Sequence, residues 1–284
     1  MKRSEYLSDK NVRAFIDWTA NLVSGEWGLA HSWSSNDPQG RNPRQFDCQS
    51  LYEAYESYYW NGGSFGGMAA RFDEFRRELK EATDADPATD EDKDSFLKAA
   101  DSIAKWGGIN NLKSLTNMVR GALEKLNANA ERLDPKNTDT DNLRGFKYMN
   151  SSFTKIYSAM IDDFPIYDSR VGCALTSLIK QFCKERRYNG VPALLSLGVP
   201  PGRGDAGESR NPSDGFYEFP NIRGAQYTRH ADSNLKAAWI LGELAEIEDG
   251  DFSKVPKKRR VMALQAALFM IGYQPLEEDA VRKG

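Results

Sequence analysis

Lys155 and Asp168 lie thirteen residues apart in the segment SSFTKIYSAMIDDFPIYDSRVGCALTSLI, residues 151–179. Phe153, Ile156, Tyr157, Met160 and Ile161 recur at helical spacing. They predict a helix with one buried face, capped by Ser151 or Ser152 and ended by Phe164–Pro165. Lys155 is two positions from Phe153, about 200° around at about 100° per residue, so it points off that face. A second stripe, Val171, Ala174, Leu175, Leu178, Ile179 and Phe182, begins just after Asp168. That puts Asp168 at an N-cap, where backbone N–H groups and the helix dipole keep a carboxylate ionised and rigid. A fixed carboxylate suits a reaction that builds positive charge on a sugar, and an amine brought to the same place is a nucleophile. Each residue also has a plain structural reading: N-cap aspartates are common, and an off-face lysine is ordinarily solvated.

Residues 152–171 resemble the heart of the helix-hairpin-helix DNA glycosylase superfamily, and especially its 8-oxoguanine glycosylase-like branch. In that superfamily a Lys opens a helix, the helix ends in a Pro-hydrophobic-Asp turn, and the Asp caps the next helix. Thr154-Lys155 and Pro165-Ile166-Tyr167-Asp168 follow this order, and FPIYDSRV at 164–171 is similar to the phrase of a compact subgroup. Gln265-Ala266-Ala267-Leu268-Phe269 resembles the late helix that walls the base pocket. The resemblance implies that Gln265 meets the polar edge of a flipped base and Phe269 stacks on its face, since i and i+4 share a helix face. Against this, Val261, Leu264, Leu268 and Ile271 make a core stripe that Phe269 would simply adjoin. The resemblance covers roughly residues 144–273, with a gap over the connection 188–232. It departs from the family at 146–152, where FKYMNSS replaces a Gly-rich phosphate-binding hairpin. Arg170, Ser151 and Ser152 are the expected contacts to the DNA backbone. Ala159, one turn beyond Lys155, is expected to wall the pocket. Tyr227, His230 and Asn234 are further candidates for holding the base.

The activity so implied is excision of a damaged or modified base from double-stranded DNA, flipped out of the stack and cut at its N-glycosidic bond. Lys155 would attack the anomeric carbon as a neutral amine, its pKa lowered by burial or a neighbouring cation, and leave a Schiff base that permits a lyase step. Asp168 would stabilise the oxocarbenium-like transition state and activate the nucleophile. A small alanine wall at Ala159 implies room for a bulky base, such as the hypermodified bases of phage DNA, and hence a role in antiviral defence. No cofactor, metal or obligatory protein partner is implied. A helical DNA-binding or assembly protein that keeps the fold without the activity is the alternative, and a protein-binding helical scaffold is a third reading.

Composition limits these readings. The chain of 284 residues, 40% hydrophobic and 28% charged, is an ordinary globular chain with room for one large core. It has no apolar run near the ~18 residues of a membrane span and a polar start, so a cytoplasmic location is expected. Cys48, Cys173 and Cys183 have no C-x-x-C spacing, and three cysteines with two histidines, His31 and His230, make neither a disulfide frame nor a metal centre plausible. The net charge of −3 argues mildly against nucleic acid. Acids concentrate at 81–94 and 243–251, however, and bases at Arg41 and Arg44, at KERR (184–187) and at KKRR (257–260), the last read as a solvated face.

Helical periodicity dominates, and the expected fold is all-α, a two-lobed glycosylase-type domain forming one catalytic unit over 1–284 with lobes at 1–143 and 144–284. Val12, Phe15, Ile16, Leu22 and Val23 mark a first helix. Residues 25–46 read as a loop whose Trp27 and Trp33 either stack on a base or are buried. A Tyr-rich helix is expected over 47–60, and others from Met68 to Leu79 and from Phe96 to Gly107–Gly108, a C-cap signal. After an acidic linker holding Pro87, the clearest helix covers 112–133 with Leu112, Leu115, Val119, Leu126 and Leu133 on one face. The 188–232 connection, with Arg203, Arg210 and Arg223, is expected to border the DNA cleft and to hide a short helix near 191–197. Final helices are expected near 233–247 and 256–272.

Overall fold

A computed structural model of the chain describes residues 1–83, 89–108, 113–202 and 210–283. Pro87, Leu112 and Arg203 lie outside the described residues, as do the side chains of Leu115 and Val119. Among the described residues the fold is mostly helical, with ten α-helices and small two-stranded sheets. Among the described residues, no helix is long and apolar enough to cross a membrane.

The chain opens with α1 (Arg3–Ser8) and α2 (Lys10–Ser24), the latter capped by Asp9, whose carboxylate accepts from the N–H groups of Asn11 and Val12. Gly25, at φ +84°, ends α2 in the left-handed conformation. Residues 25–46 are not simply loop. They contain β1 (Trp27–Leu29) and β2 (His31–Ser34), and β3 (Gln45–Cys48) follows. β2 and β3 pair antiparallel from His31↔Cys48 to Ser34↔Gln45, while β1 pairs with the C-terminal β4 (Val281–Lys283). In β2 and β3 alternate residues are buried; Gln45, Phe46, Asp47 and Cys48 of β3 alternate polar and apolar, but one of the two inward positions of β2 belongs to His31. The expected helix over 47–60 shrinks to α3 (Leu51–Glu56), because 47–48 belong to β3 and 57–60 turn away to carry Tyr58 and Trp60 elsewhere.

α4 (Phe65–Thr83), α5 (Asp90–Trp106) and α6 (Lys113–Leu133) pack in succession, and α4 and α5 both rest on α7 (Phe153–Met160). α3 and α8 (Ser169–Glu185) pack on α10 (Arg260–Ile271), and α2 packs on α8 and α9 (Tyr227–Leu244). One continuous core joins these groups, from Tyr6 and Phe15 through Tyr157 and Tyr167 to Trp239 and Met270. α9 starts at Tyr227, six residues earlier than its stripe predicts, and the expected short helix near 191–197 is one 3-10 turn, Ala193–Leu195. KKRR is solvated only in part. Arg260 is buried and donates to the carbonyls of Val255, Ala245, Ile247 and Ser253 and to Glu248, tying the start of α10 to the end of α9.

The end of α10 is pressed against the start of α8. A Cβ on Gly272 would lie 1.9 Å from the carbonyl oxygen of Arg170, so only glycine fits there. This close approach fixes Phe269 and Tyr273 beside Asp168 and Arg170.

Candidate active site

α7 is buried nearly all round, not on one face. Its apolar stripe faces the core, and its polar side is covered as well: Thr154, Lys155 and Ser158 are all buried. Lys155 is therefore not solvated. Its stem lies against the end of α5, where a Cβ on Gly107 would come within 2.6 Å of Lys155 Cδ. Gly107 has an ordinary negative φ, so its lack of a side chain makes room for the lysine, and the left-handed glycine at that helix end is Gly108 at φ +71°. Helix side chains lean toward the N-terminus. Lys155 accordingly reaches back one turn, and its Nζ donates to the Ser151 carbonyl at 2.8 Å and lies 3.5 Å from Asp168 Oδ2.

α7 ends at Met160, short of the predicted Phe164–Pro165, and residues 161–168 form the turn into α8. Asp168 caps α8 as the sequence predicts, its Oδ1 accepting from the N–H groups of Arg170 at 3.0 Å and Val171 at 3.3 Å. Burial pushes the Asp168 carboxyl up. The charges of Lys155 and Arg170, the Val171 N–H and the charge of Arg210 outweigh it and hold the group below the ordinary carboxylate range. Lys155 and Asp168, 8% and 15% exposed, meet on the wall of a cavity of about 640 Å³, within the usual size range of small-molecule sites.

The cavity is lined from six directions: the 34–42 loop, the 58–60 turn after α3, the end of α5, the α7–α8 junction, the 188–232 connection and α10 with the residues that follow it. Gln265 and Phe269 line it, as expected. Ser151 lines it too; Ser152 holds the N-cap position of α7, but its side chain makes no capping bond. Asn150 Oδ1 accepts from the N–H groups of Ser152 and Phe153, and Ser152 lies off the cavity. Arg170 is not on the surface, where a backbone phosphate would lie. It is 5% exposed, with its guanidinium carbon 4.4 Å from the centre of the Phe269 ring and 4.8 Å from that of Tyr273. One face of Phe269 is thus taken by Arg170. Burial, with Arg210 nearby, pushes the Arg170 pKa down to about 9, which leaves it charged at neutral pH.

Four other expected pocket residues lie outside the cavity lining. Ala159 is fully buried, and its carbonyl accepts from Arg76 of α4. The cavity lies on the N-terminal side of Lys155, and one turn further on leads away from it. Ala159 therefore gives the cavity no room for a bulky base. Tyr227 is half-buried against the core. His230 and Asn234 act on the backbone of the turn. Asn234 Nδ2 donates to the Pro165 carbonyl, and its Oδ1 accepts from Thr154 Oγ1, which in turn accepts from the Tyr167 N–H. His230 Nε2 lies 2.7 Å from the Tyr167 carbonyl, which can only accept, so Nε2 carries the proton. Burial pushes this imidazole down to about 4, so it is neutral. Gln265 joins the clamp from α10, its Oε1 accepting from the Ile166 N–H. Thr154, His230, Asn234 and Gln265 together fix the three residues that precede Asp168.

The sequence reading missed Trp60, Trp106, Asn42 and Tyr273, all on the cavity. Trp60 Nε1 donates to the Trp106 carbonyl, which locks the two aromatic residues together. Nothing in their local pattern separates them from core aromatics. Trp33 is structural, stacked on Tyr273 at 4.2 Å and donating to the Met270 carbonyl, and Trp27 packs edge-on to Trp18. In the 188–232 connection, Pro201 and Arg210 reach the cavity. Among the described residues, no group of His, Cys, Asp and Glu could hold a metal ion.

No protein-family model matches the chain, and neither a curated protein nor a solved structure matches it.

Proposed function

We propose that the protein is a DNA glycosylase that draws a modified base from duplex DNA into the 640 Å³ cavity and cuts its N-glycosidic bond with Lys155 and Asp168. The observation that carries this reading is the buried pair itself: an amine and an ionised carboxylate 3.5 Å apart, delivered by two helices to one cavity wall. A buried lysine and aspartate held only for stability need no opening to solvent beside them, and structural pairs of this kind contribute little net stability. Here the pair borders a space large enough for a nucleobase and its sugar.

In the reaction, Lys155 Nζ passes a proton to water and attacks C1′ as a neutral amine. The Nζ–C1′ bond forms as the C1′–N bond breaks, and the electron pair of that bond leaves with the base, which takes up a proton from water. Positive charge builds on the sugar in the transition state, and the Asp168 carboxylate faces it without having to reorganise. Opening of the sugar ring leaves a protein–DNA Schiff base, from which strand cleavage can follow. The two hydrogen bonds from backbone N–H groups hold Asp168 in place through this cycle. Trp60 and Trp106, half-buried on the cavity, supply aromatic surface for a base that has left the stack.

The test is to incubate the protein with duplexes each carrying one modified base and to identify released bases by mass spectrometry. Release from at least one duplex, lost in Asp168→Asn with DNA binding retained, is the expected result. Binding without release from any duplex contradicts the reading and favours a DNA-binding protein.

A further inference from the structure

The cavity holds more positive charge than its own carboxylates balance. Arg41 Nε lies 3.4 Å from Asp37 Oδ2, and Lys155 pairs with Asp168. Arg170 and Arg210, 5% and 7% exposed, have no carboxylate at ion-pair distance among the described residues. Among the described residues, Arg210 donates only to neutral acceptors, the Tyr273 carbonyl and Ser169 Oγ. Arg170 Nη2 donates to Asn42 Oδ1, and Arg170 Nη1 is buried with no hydrogen-bond partner among the described residues. The rings of Phe269, Tyr273, Trp60 and Trp33 surround this guanidinium at 4.4–6.0 Å. They offset its charge through their faces, but they do not accept its in-plane N–H groups. A buried donor left unmatched is unfavourable and is ordinarily met by a partner. Gln265 adds to the imbalance: its Oε1 is engaged by Ile166, so its NH₂ donors are what it has left to offer a ligand.

We propose that Arg170, backed by Arg210 and Gln265, reads a hydrogen-bond acceptor on the edge of the flipped base, so that the excised base carries an oxo or carboxylate oxygen there. The proposal rests on reading the cavity as a base pocket. A guanidinium fork pairs with two acceptors on one edge, and an edge bearing an amino group or a positive charge meets donors and cations instead. Arg170 is too deep for a backbone phosphate. The cavity-lining cation suited to that is Arg41, whose side chain is 34% exposed.

Two matched pairs of duplexes test this with the full chain: 8-oxoguanine against 8-aminoguanine, and 5-carboxycytosine against 5-aminomethylcytosine. The cytosine pair exchanges an acceptor for a donor at one position; in the guanine pair the C8 oxygen becomes an amino group and N7 changes from an N–H donor to an acceptor. A 2′-fluoro on the target nucleotide blocks cleavage, so affinity is read apart from catalysis. The expected result is that, in at least one pair, the acceptor duplex binds about tenfold more tightly than the donor duplex, the size of a hydrogen bond to a charged group. Arg170→Met, which keeps bulk among the rings, should erase that preference. Equal or tighter binding of the donor duplex in both pairs overturns the proposal, and this comparison uses the unaltered protein. An Arg170→Met protein that retains the preference also overturns it. A duplex with a tetrahydrofuran abasic site has the phosphates without the base; if Arg170→Met weakens its binding equally, Arg170 holds a phosphate and the proposal fails. Preference without release from the cleavable duplexes removes the excision reading alone, and release without preference removes only this proposal.

Discussion

Lys155 is positioned by contacts on two sides: its Nζ donates to the Ser151 carbonyl, and its stem fills the space that Gly107 leaves. A methyl at 107 would stand 2.6 Å from Lys155 Cδ and 2.7 Å from Cε, and the backbone of Gly107 accepts any residue. Gly107→Ala should therefore spare the fold and displace the amine from Asp168. Catalytic groups misplaced by about 1 Å can lose ~100-fold in rate. Single-turnover base release should fall by about tenfold or more, with the melting temperature little changed. An unchanged rate would mean that Lys155 can relax without cost and that its placement is not critical. Asp168 is held differently, by a helix end formed from its own neighbours. That is why its role was legible: the cap and the stripe behind it are both local in sequence. The burial of Lys155 was not legible, because the residue that covers it comes from α5.

At the level of elements, the turn from 161 to 168 is the part that a helical rhythm cannot describe. Its backbone groups are satisfied by side chains from α7, α9 and α10, namely Thr154, His230, Asn234 and Gln265. The sequence marked His230 and Asn234 as base contacts because they are polar and lie near the start of a late helix, and Gln265 because residues 265–269 resemble a helix that walls a base pocket; of these only Gln265 lines the cavity. Polar side chains in buried positions are as readily held by backbone groups, and such long-range pairings have no sequence spacing to betray them. β2 and β3 escaped notice because each has four residues and only two inward positions, too few to set up a clear alternation, and one of those in β2 is His31. Asn234→Leu removes the partner of the Pro165 carbonyl and of the Thr154 hydroxyl together. It should destabilise the protein by about 1–3 kcal/mol, the cost of leaving buried polar groups unmatched. Urea unfolding measures this, and a neutral result would show that water or the turn itself can replace the amide. Because the same substitution loosens the approach to Asp168, base release should slow more than stability alone accounts for.

For the whole molecule, the two histidines set a pH window. Burial pushes both His31 and His230 down to about 4 in the folded protein, against about 6.5 in an unfolded chain. Between those values the unfolded chain takes up protons that the folded chain does not, so stability is complete above about pH 6.5 and falls as the pH drops toward 4. The loss from His230 alone is on the order of 3 kcal/mol over that window. Urea midpoints at pH 7, 6 and 5 should decline in that order, and a flat profile would contradict the burial of the two rings. The overall architecture also brings the pair together, since Lys155 and Asp168 belong to different helices and meet only in the folded chain. The most direct test of that meeting needs no knowledge of the base. A duplex with an abasic site presents the sugar aldehyde alone, and a neutral lysine condenses with it to an imine that borohydride reduces to a stable secondary amine. The expected result is a covalent adduct with the 284-residue chain, mapped to Lys155 by peptide mass spectrometry and lost in Lys155→Ala. An adduct that persists in Lys155→Ala, or that maps to another lysine, or no adduct at all, would contradict it.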